Sequence, residues 1–499
     1  MAVKPATPLS PEQLQSVWGT LKSPRRLKTE VLAGLVVGLA LIPEAIAFSI
    51  IAGVDPRIGL FAAFTMAVTI AFTGGRPAMI SAATGAVALV IAPLVKSHGV
   101  DHLIAAVILA GVLQIVLSVS GVAKLMRFIP RSVMVGFVNA LAILVFLAQL
   151  PELIDVPWLV YPLVAVALLI MFVLPRFTQV VPAPLVAIVV LTLITVLAAV
   201  VVPTVGDKGQ LPDSLPGLLI PNVPMTLETL QVIFPFALAM AFVGLLESLM
   251  TAKLVDDITD TRSSKTREAW GQGVANIVTG FCGGMGGCAM IGQTMINVKA
   301  SGARTRISTF SAGVFLLLLV VVLGDVVSLI PMAALVAVMI FVCWATFDWH
   351  SIHPRTLKAL PKSETFVMVI TVVATVATDN LAIGVGSGTV LAMVMFARRV
   401  AHFVTVERTV GGGSVTYTVN GELFFASSND LYTQFEYALD PAHVIIDMSR
   451  SHLWDASTSA TLDAIADKYG RSGKQVEIVG LNEASTEMRR RLAGKLGGN

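Results

Sequence analysis

The 499-residue chain is 56% hydrophobic and 13% charged, with a formal net charge of +3 and a mean hydropathy of +0.83. Soluble proteins carry about 25% charged residues, so the composition excludes an ordinary soluble fold and indicates a polytopic membrane protein in a lipid bilayer. No basic tract suits nucleic acid. The three cysteines, Cys282, Cys288 and Cys343, offer neither a disulfide framework nor metal-ligand spacing, and read as small residues in apolar surroundings.

Met1 to Thr20 is polar, with an amphipathic touch at Leu14, Val17 and Trp18 and no signal-peptide pattern. The first span runs from about Glu30 to Ile51 and holds a break with a carboxylate, Pro43-Glu44. Further spans are expected at Ile58–Phe72, Ala82–Leu94 (short), Leu103–Val122, Val133–Leu150, Trp158–Leu174 and Pro184–Val202. A polar, Pro-rich loop, Pro203 to Thr226, separates two halves of similar size. The second half is read as Leu227–Lys253, Glu268–Phe281, a short piece Gly292–Val298, Ile307–Leu323, Ile330–Trp344, Glu364–Thr378 and Leu381–Ala397. A charged loop with Asp256, Asp257 and Asp260 follows the first of these. That makes about seven plus seven spans, several of them short or tilted.

Two stretches cannot be plain spanning helices. Gly280 to Gly302 carries Gly283, Gly284, Gly286 and Gly287, then four residues that could run extended, Cys288 to Ile291, then the short piece. Thr73 to Val87 carries Gly74-Gly75. Both have Ala-Met-Ile and then a small residue, at Ala78–Ser81 and Ala289–Gly292. Irregular backbone at membrane depth survives only where protein buries it or water reaches it. Paired interruptions in two halves point to repeats meeting at a central binding site.

With an even number of spans both termini share a side, and the positive-inside rule puts it in the cytoplasm. Arg127, Arg131, Arg176, Lys253, Arg262, Lys265, Arg267, Lys299, Arg304, Arg306, Lys358, Lys362, Arg398 and Arg399 are then inside. Arg57, Lys96 and Lys208 are outside. From His402 the composition turns polar and alternating. Strands around an Asn420-Gly421 turn, a helix over Leu431–Leu439, a strand at HVIIDMS, a helix at SATLDAIADKYG, a strand at QVEIVGL and a last helix suggest a small α/β domain.

The segments LIPEAIAFSIIAGVDPRIGLFAA (Leu41 to Ala63), RSVMVGFVNALAIL (Arg131 to Leu144) and REAWGQGVANIVTGF (Arg267 to Phe281) resemble signatures of the sulfate permease (SulP) or solute carrier 26 anion transporters. The C-terminal region is similar to their STAS domain. The resemblance implies an all-α membrane domain of 14 transmembrane segments as a 7+7 inverted repeat, with core and gate domains, followed by an α/β STAS domain. Residues 1–29 would be a cytoplasmic segment, 30–400 the transport domain (repeats 30–203 and 226–400) and 405–499 the STAS domain. It further implies an elevator-like motion, a homodimer, and substrate between the third and tenth helices.

Each short helix starts with unpaired backbone N–H groups and about half a positive charge. Two such ends facing each other make an anion site without Arg or Lys. Ser81, Ala82, Ala83, Thr84 and Gly85 would line one end, and Gly292, Gln293 and Thr294 the other. The alternative is that these small residues only permit close helix packing. The family often has Arg at the position of Gln293. Glu247 matches its acidic eighth-helix position beside the substrate, and Glu44 stands where it often has Gln. A carboxyl buried in a span costs about 2.5–3.5 kcal/mol as an ion, so both are candidates for proton coupling, against a structural hydrogen bond for either.

Asn139, Gln114 and Gln149 are expected to bond between helices, and His350 and His353 to be surface residues. Ser457 in LWDASTSA matches the phosphorylated serine of soluble STAS relatives, and an N-cap role for Asp455 or Ser457 is the simpler reading. No P-loop suggests an ATP-driven pump, and no cofactor is implied. The expectation is a non-enzymatic secondary carrier of a small inorganic or organic anion, with H+ symport of fumarate or another dicarboxylate preferred. Sodium-coupled bicarbonate transport, proton-coupled sulfate transport, a passive anion channel and a receptor signalling through the STAS domain stand as alternatives.

Overall fold

The computed structural model describes residues 16–121, 129–177, 182–401 and 404–492; Leu14, Arg127 and His402 lie outside the described residues. The chain divides into two compact units, 1–388 and 389–499.

The first unit opens with α1 (Val17–Leu21), α2 (Pro24–Ala52), α3 (Pro56–Thr73), β1 (Ser81–Ala82) and α4 (Gly85–Val119). Next come α5 (Arg131–Gln149), α6 (Val160–Val173), α7 (Ala183–Leu197), α8 (Leu227–Thr259), α9 (Lys265–Phe281), β2 (Cys288–Ala289) and α10 (Ile291–Met295). Then follow α11 (Arg306–Val322), α12 (Gly324–Ser328), α13 (Met332–Thr346), α14 (Pro354–Ala359), α15 (Lys362–Thr378) and α16 (Leu381–Ala401), which runs on into the second unit. Six helices among the described residues are long and apolar enough to cross a membrane.

The helices differ from the sequence reading in four places. Pro43 does not break α2; the helix runs through it, although proline has no N–H to donate to the preceding turn. The short third helix begins at Gly85, not Ala82, because Thr84 caps it, its Oγ1 accepting from Val87 N. It ends at a kink, where Gly99 takes the non-helical pair φ 79, ψ −174. Asp256 and Asp257 belong to the last turn of α8 rather than a loop. The short tenth piece begins at Ile291, and a π-turn over Ile296–Ala300 extends it.

Packing sorts the helices into two bundles. One contains α2, α3, α4, α8, α9 and α11; the other contains α5, α6, α7, α13 and α15. They meet mainly through α2 against α13 and α7, and through α4 against α5. Small residues permit the close crossing of α4 and α9: a Cβ on Gly111 of α4 would lie 2.5 Å from the Gly273 carbonyl oxygen of α9. The segment between α7 and α8 is fastened to both bundles. Val205 N donates to Ile330 O and Met332 N to Pro203 O, beside the start of α13. Arg57 N, at the start of α3, donates to Gln210 O. A single 3-10 turn, Val205–Lys208, lies between these anchors.

Strands β1 and β2 pair antiparallel, Ser81 opposite Ala289 and Ala82 opposite Cys288. The two Ala-Met-Ile triplets are therefore not equivalent positions. Ala78–Ile80 precedes β1, whereas Ala289–Ile291 runs from the end of β2 into α10.

The second unit carries β3 (Thr405–Gly411), β4 (Ser414–Leu423), α17 (Phe425–Thr433), β5 (His443–Leu453), α18 (Ala456–Arg471), β6 (Gln475–Val479) and α19 (Glu483–Leu492). The sheet order is β3-β4-β5-β6, with β3 antiparallel to β4 and the other pairs parallel. Asn420-Gly421 is not the hairpin turn; it lies within β4 beside a bulge in the pairing with β5. The turn is Gly412-Gly413, both at positive φ (59° and 81°), as a two-residue hairpin of this hand requires. The helix expected over Leu431–Leu439 lies earlier, at α17, where Ser427 Oγ accepts from Phe424 N in its first turn. Asp455 caps α18, accepting from Thr458 N, and Ser457 is exposed in its first turn.

One buried carboxylate organises this unit. Asp440 accepts hydrogen bonds from Tyr417 Oη (2.7 Å), Tyr469 Oη and Arg408 Nη2 (2.7 Å). Burial raises its pKa, but the bonds from Tyr469, Tyr417 and Arg408 outweigh burial and hold it below the ordinary Asp value. Its contribution is therefore complete above the ordinary Asp pKa of about 3.9 and is lost as pH falls through the lower folded value. Asp440→Asn in a fragment spanning 404–499 is expected to cost about 1–3 kcal/mol at neutral pH and to flatten acid unfolding in urea titrations. In the first unit, a Cβ on Gly287 would lie 2.0 Å from Ala82 O. Gly287→Ala should force β2 off β1, a cost of about 1–3 kcal/mol, and lower the thermal midpoint in detergent. Gly292→Ala, with nothing within 4 Å of its Cβ, should leave the midpoint unchanged.

Candidate functional site

The β1–β2 pair fixes where two helices begin. The Thr84 side chain caps α4, Met290 occupies the position before α10 without a side-chain cap bond, and both starts border one cavity of about 90 Å³. Thr84, Gly85, Met290, Ile291 and Gly292 line it, with Glu44 and Phe48 from α2 and Glu247 from α8. Phe137, Leu141 and Val145 of α5 and Met339, Val342 and Cys343 of α13 supply the other wall, so the cavity lies between the two bundles. A larger cavity of about 960 Å³ shares Glu44, Ile291, Gly292 and Val342 and extends past Gln293 to Thr29 and Ser301. No lysine or arginine among the described residues lines either.

The irregular backbone is satisfied by side chains of α8, α9, α10 and α11 and of the π-turn. Asn276 of α9 brackets Gly287: its Oδ1 accepts from Gly287 N (2.9 Å), and its Nδ2 donates to Gly287 O (3.1 Å) and to Gln114 Oε1 (2.9 Å). Ser248 Oγ of α8 accepts from Ala289 N (3.1 Å). Thr294 Oγ1 accepts from Ile80 N (3.0 Å), Asn297 Nδ2 donates to Ala78 O (2.8 Å), and Thr309 Oγ1 of α11 donates to Met79 O (3.1 Å). Each of these bonds to a backbone N–H or carbonyl satisfies a group that a continuous helix would have paired within itself, which is what permits broken helices in hydrocarbon.

Both carboxyls are buried and singly held. Glu44 Oε1 accepts from Gln293 Nε2 at 2.9 Å, and Glu247 Oε2 accepts from the Cys288 thiol at 2.9 Å. Cys288 Sγ also lies 3.1 Å from Thr84 Oγ1.

The structure thus brings Thr84, Gly85, Gly292, Glu44 and Glu247 to one cavity, with Gln293 on the larger one. Ser81, Ala82, Ala83 and Thr294 are fully buried and line neither cavity. Ser81 and Ala82 form β1, Ser81 Oγ accepts from Gln272 Nε2 (2.7 Å), and Thr294 is committed to Ile80. Sequence reasoning dismissed Cys288, which is the Glu247 partner, and overlooked Asn276. It also passed over Arg76. That buried side chain donates to Asp256 Oδ1 (2.9 Å), while Glu268 Oε2 accepts from Gly75 N and Arg76 N. An Arg next to Gly-Gly at a helix end, in a chain otherwise short of charge, was the available signal. Asn139 bridges to Ser351 and Asp348, and His353 caps α14.

The Sulfate permease family model matches residues 27–159 and 154–371, and the STAS domain model matches 405–493. The putative sulfate transporter YbaR of Bacillus subtilis is 53% identical over 467 residues, covering 94% of this chain and 97% of that protein. The bicarbonate transporter BicA of Picosynechococcus is 24% identical, covering 94% and 90%. Among solved structures, the transmembrane domain of a cyanobacterial BicA superposes with a TM-score of 0.64 at 24% identity, over 74% of this chain and 98% of that one. Murine Solute Carrier 26 family member A9 superposes with a TM-score of 0.81 at 16% identity, over 93% and 87%. The chain is a multi-pass membrane protein of the sulfate permease family, an anion transporter with a C-terminal STAS domain.

Proposed function

We propose that this protein is a secondary carrier that moves a small anion together with protons. The observation that carries the reading is that two helix starts and two buried carboxyls line one cavity between two bundles. The helix ends attract an anion. The carboxyls repel it unless protonated, so each proton bound favours the anion and the anion favours the proton. That reciprocity is symport. With no lysine or arginine among the described residues on the cavity and a largely apolar wall, the site suits an organic acid such as fumarate. The relatives named as sulfate and bicarbonate transporters support a second reading, in which one of those smaller ions is the substrate.

The transport cycle in this reading slides the bundle bearing Glu44, Glu247 and both short helices past the other, in a 14-span 7+7 inverted-repeat domain working as a homodimer. The termini and the STAS domain are cytoplasmic. The cluster of Arg76, Lys265, Arg267 and Arg306 around Asp256, Glu268 and the end of α3 supports that side assignment. The larger cavity reaches Thr29 near the start of α2, so it opens on that side.

Proteoliposomes with acid outside should accumulate fumarate, bicarbonate or sulfate above its equilibrium level. Glu247→Gln should keep exchange but lose about 5- to 150-fold of the pH response, the range of ordinary coupling between sites. Uptake that never runs uphill would leave a passive channel. For the orientation, Lys208→Cys should react with a membrane-impermeant maleimide in intact cells; labelling only after permeabilisation would reverse the topology.

A further inference from the structure

Cys288 stands behind the cavity, between the proposed proton acceptor and the cap of an anion-facing helix. Its sulfur lies 2.9 Å from Glu247 Oε2 and 3.1 Å from Thr84 Oγ1, and both of those residues line the cavity. Thr84 Oγ1 accepts from Val87 N, so one lone pair and one proton remain to it. A thiol and a hydroxyl each donate once and accept, so this chain can run in either direction.

We propose that Cys288 is a positioning residue that relays the protonation of Glu247 to Thr84. The inference rests on the symport reading above. With Glu247 ionised, the S–H donates to Oε2 and the Thr84 O–H donates to sulfur. Thr84 then has no proton to offer an anion. With Glu247 protonated, its own O–H donates to sulfur, the S–H turns to Thr84 Oγ1, and the Thr84 O–H is released into the cavity. One proton is gained, at Glu247. No other bond to hydrogen breaks; the thiol and the hydroxyl only rotate.

Among the described residues, the other titratable groups on the cavity are Glu44, held by Gln293, and Cys343 of α13. From the elements packed on α8, α9 directs Glu268 to Gly75, Arg76 and Gln272, and α4 directs neutral Gln114 to Asn276. The relay is thus the direct hydrogen-bonded route from Glu247 to the cap of α4.

The test measures anion affinity of the full-length protein at acid and alkaline pH, with fumarate, bicarbonate and sulfate as probes and thermal stabilisation as the readout. Cys288→Ala frees the Thr84 hydroxyl at both pH values. Its alkaline affinity should rise toward the acid value by about 2- to 10-fold, the worth of one hydrogen bond. Cys288→Ser, which still donates and accepts, should restore the wild-type pH dependence. Thr84→Val should lower the acid affinity and shrink the same dependence. A purely structural role would lower affinity at both pH values in Cys288→Ala, and that result overturns the relay. So does wild-type pH dependence in a folded Cys288→Ala protein. Wild-type affinity that ignores pH would instead sink the symport reading on which the relay depends.

Discussion

A peptide group in hydrocarbon must find its hydrogen bond within the protein. The two-residue strands β1 and β2 exist under that constraint. Backbone is interrupted before α4 and before α10, and the freed groups are met by Asn276, Ser248, Thr294, Asn297 and Thr309 as well as by strand pairing. With those side chains in place, two helix starts can face a common space that no cationic side chain among the described residues lines. The site is a by-product of how the break is sealed. Its donors come from helices of one bundle, and its apolar wall comes from the other.

The same economy governs the charged groups. Glu44 is held by Gln293 and Glu247 by Cys288, so each carboxyl has a neutral donor in place of a cation. A neutral donor stabilises the ion less than an arginine would, and it serves the protonated form as well. A carboxyl paired this way can change charge during a cycle without leaving an orphaned cation behind. The Arg76–Asp256 pair is the contrast: a salt bridge at a helix end, reinforced by Lys265, which locks a loop.

Much of the fold was legible because hydrophobic run length and glycine clusters are strong signals. The apolar helices, the two interruptions and the strands at HVIIDMS and QVEIVGL follow from period and composition. Details that depend on pairing were not legible. Ala-Met-Ile at two places suggested equivalence, yet strand register puts the triplets several residues out of step. Asn420-Gly421 has hairpin chemistry, but Gly412-Gly413 lies nearer the point where β3 must reverse, and a β-bulge absorbs the other pair. Around the site, local sequence revealed which helices break but not which residues face inward. Ser81 and Thr294 have the right chemistry and spend it on backbone. Cys288 looked like filler because its partners, Thr84 and Glu247, are remote in sequence.

The segment that joins the two halves sets a mechanical limit. Val205 is fastened to Ile330 in one bundle and Gln210 to Arg57 in the other. Five peptide steps lie between the anchors, so a fully drawn-out chain spans at most about 17–18 Å there. Part of that length is now coiled in the 3-10 turn at Val205–Lys208, where each residue advances only about 2 Å. The turn is stored slack on a short leash. In the sliding motion proposed above, the travel the segment allows without loss of an anchor is about the length the turn gives up on unwinding.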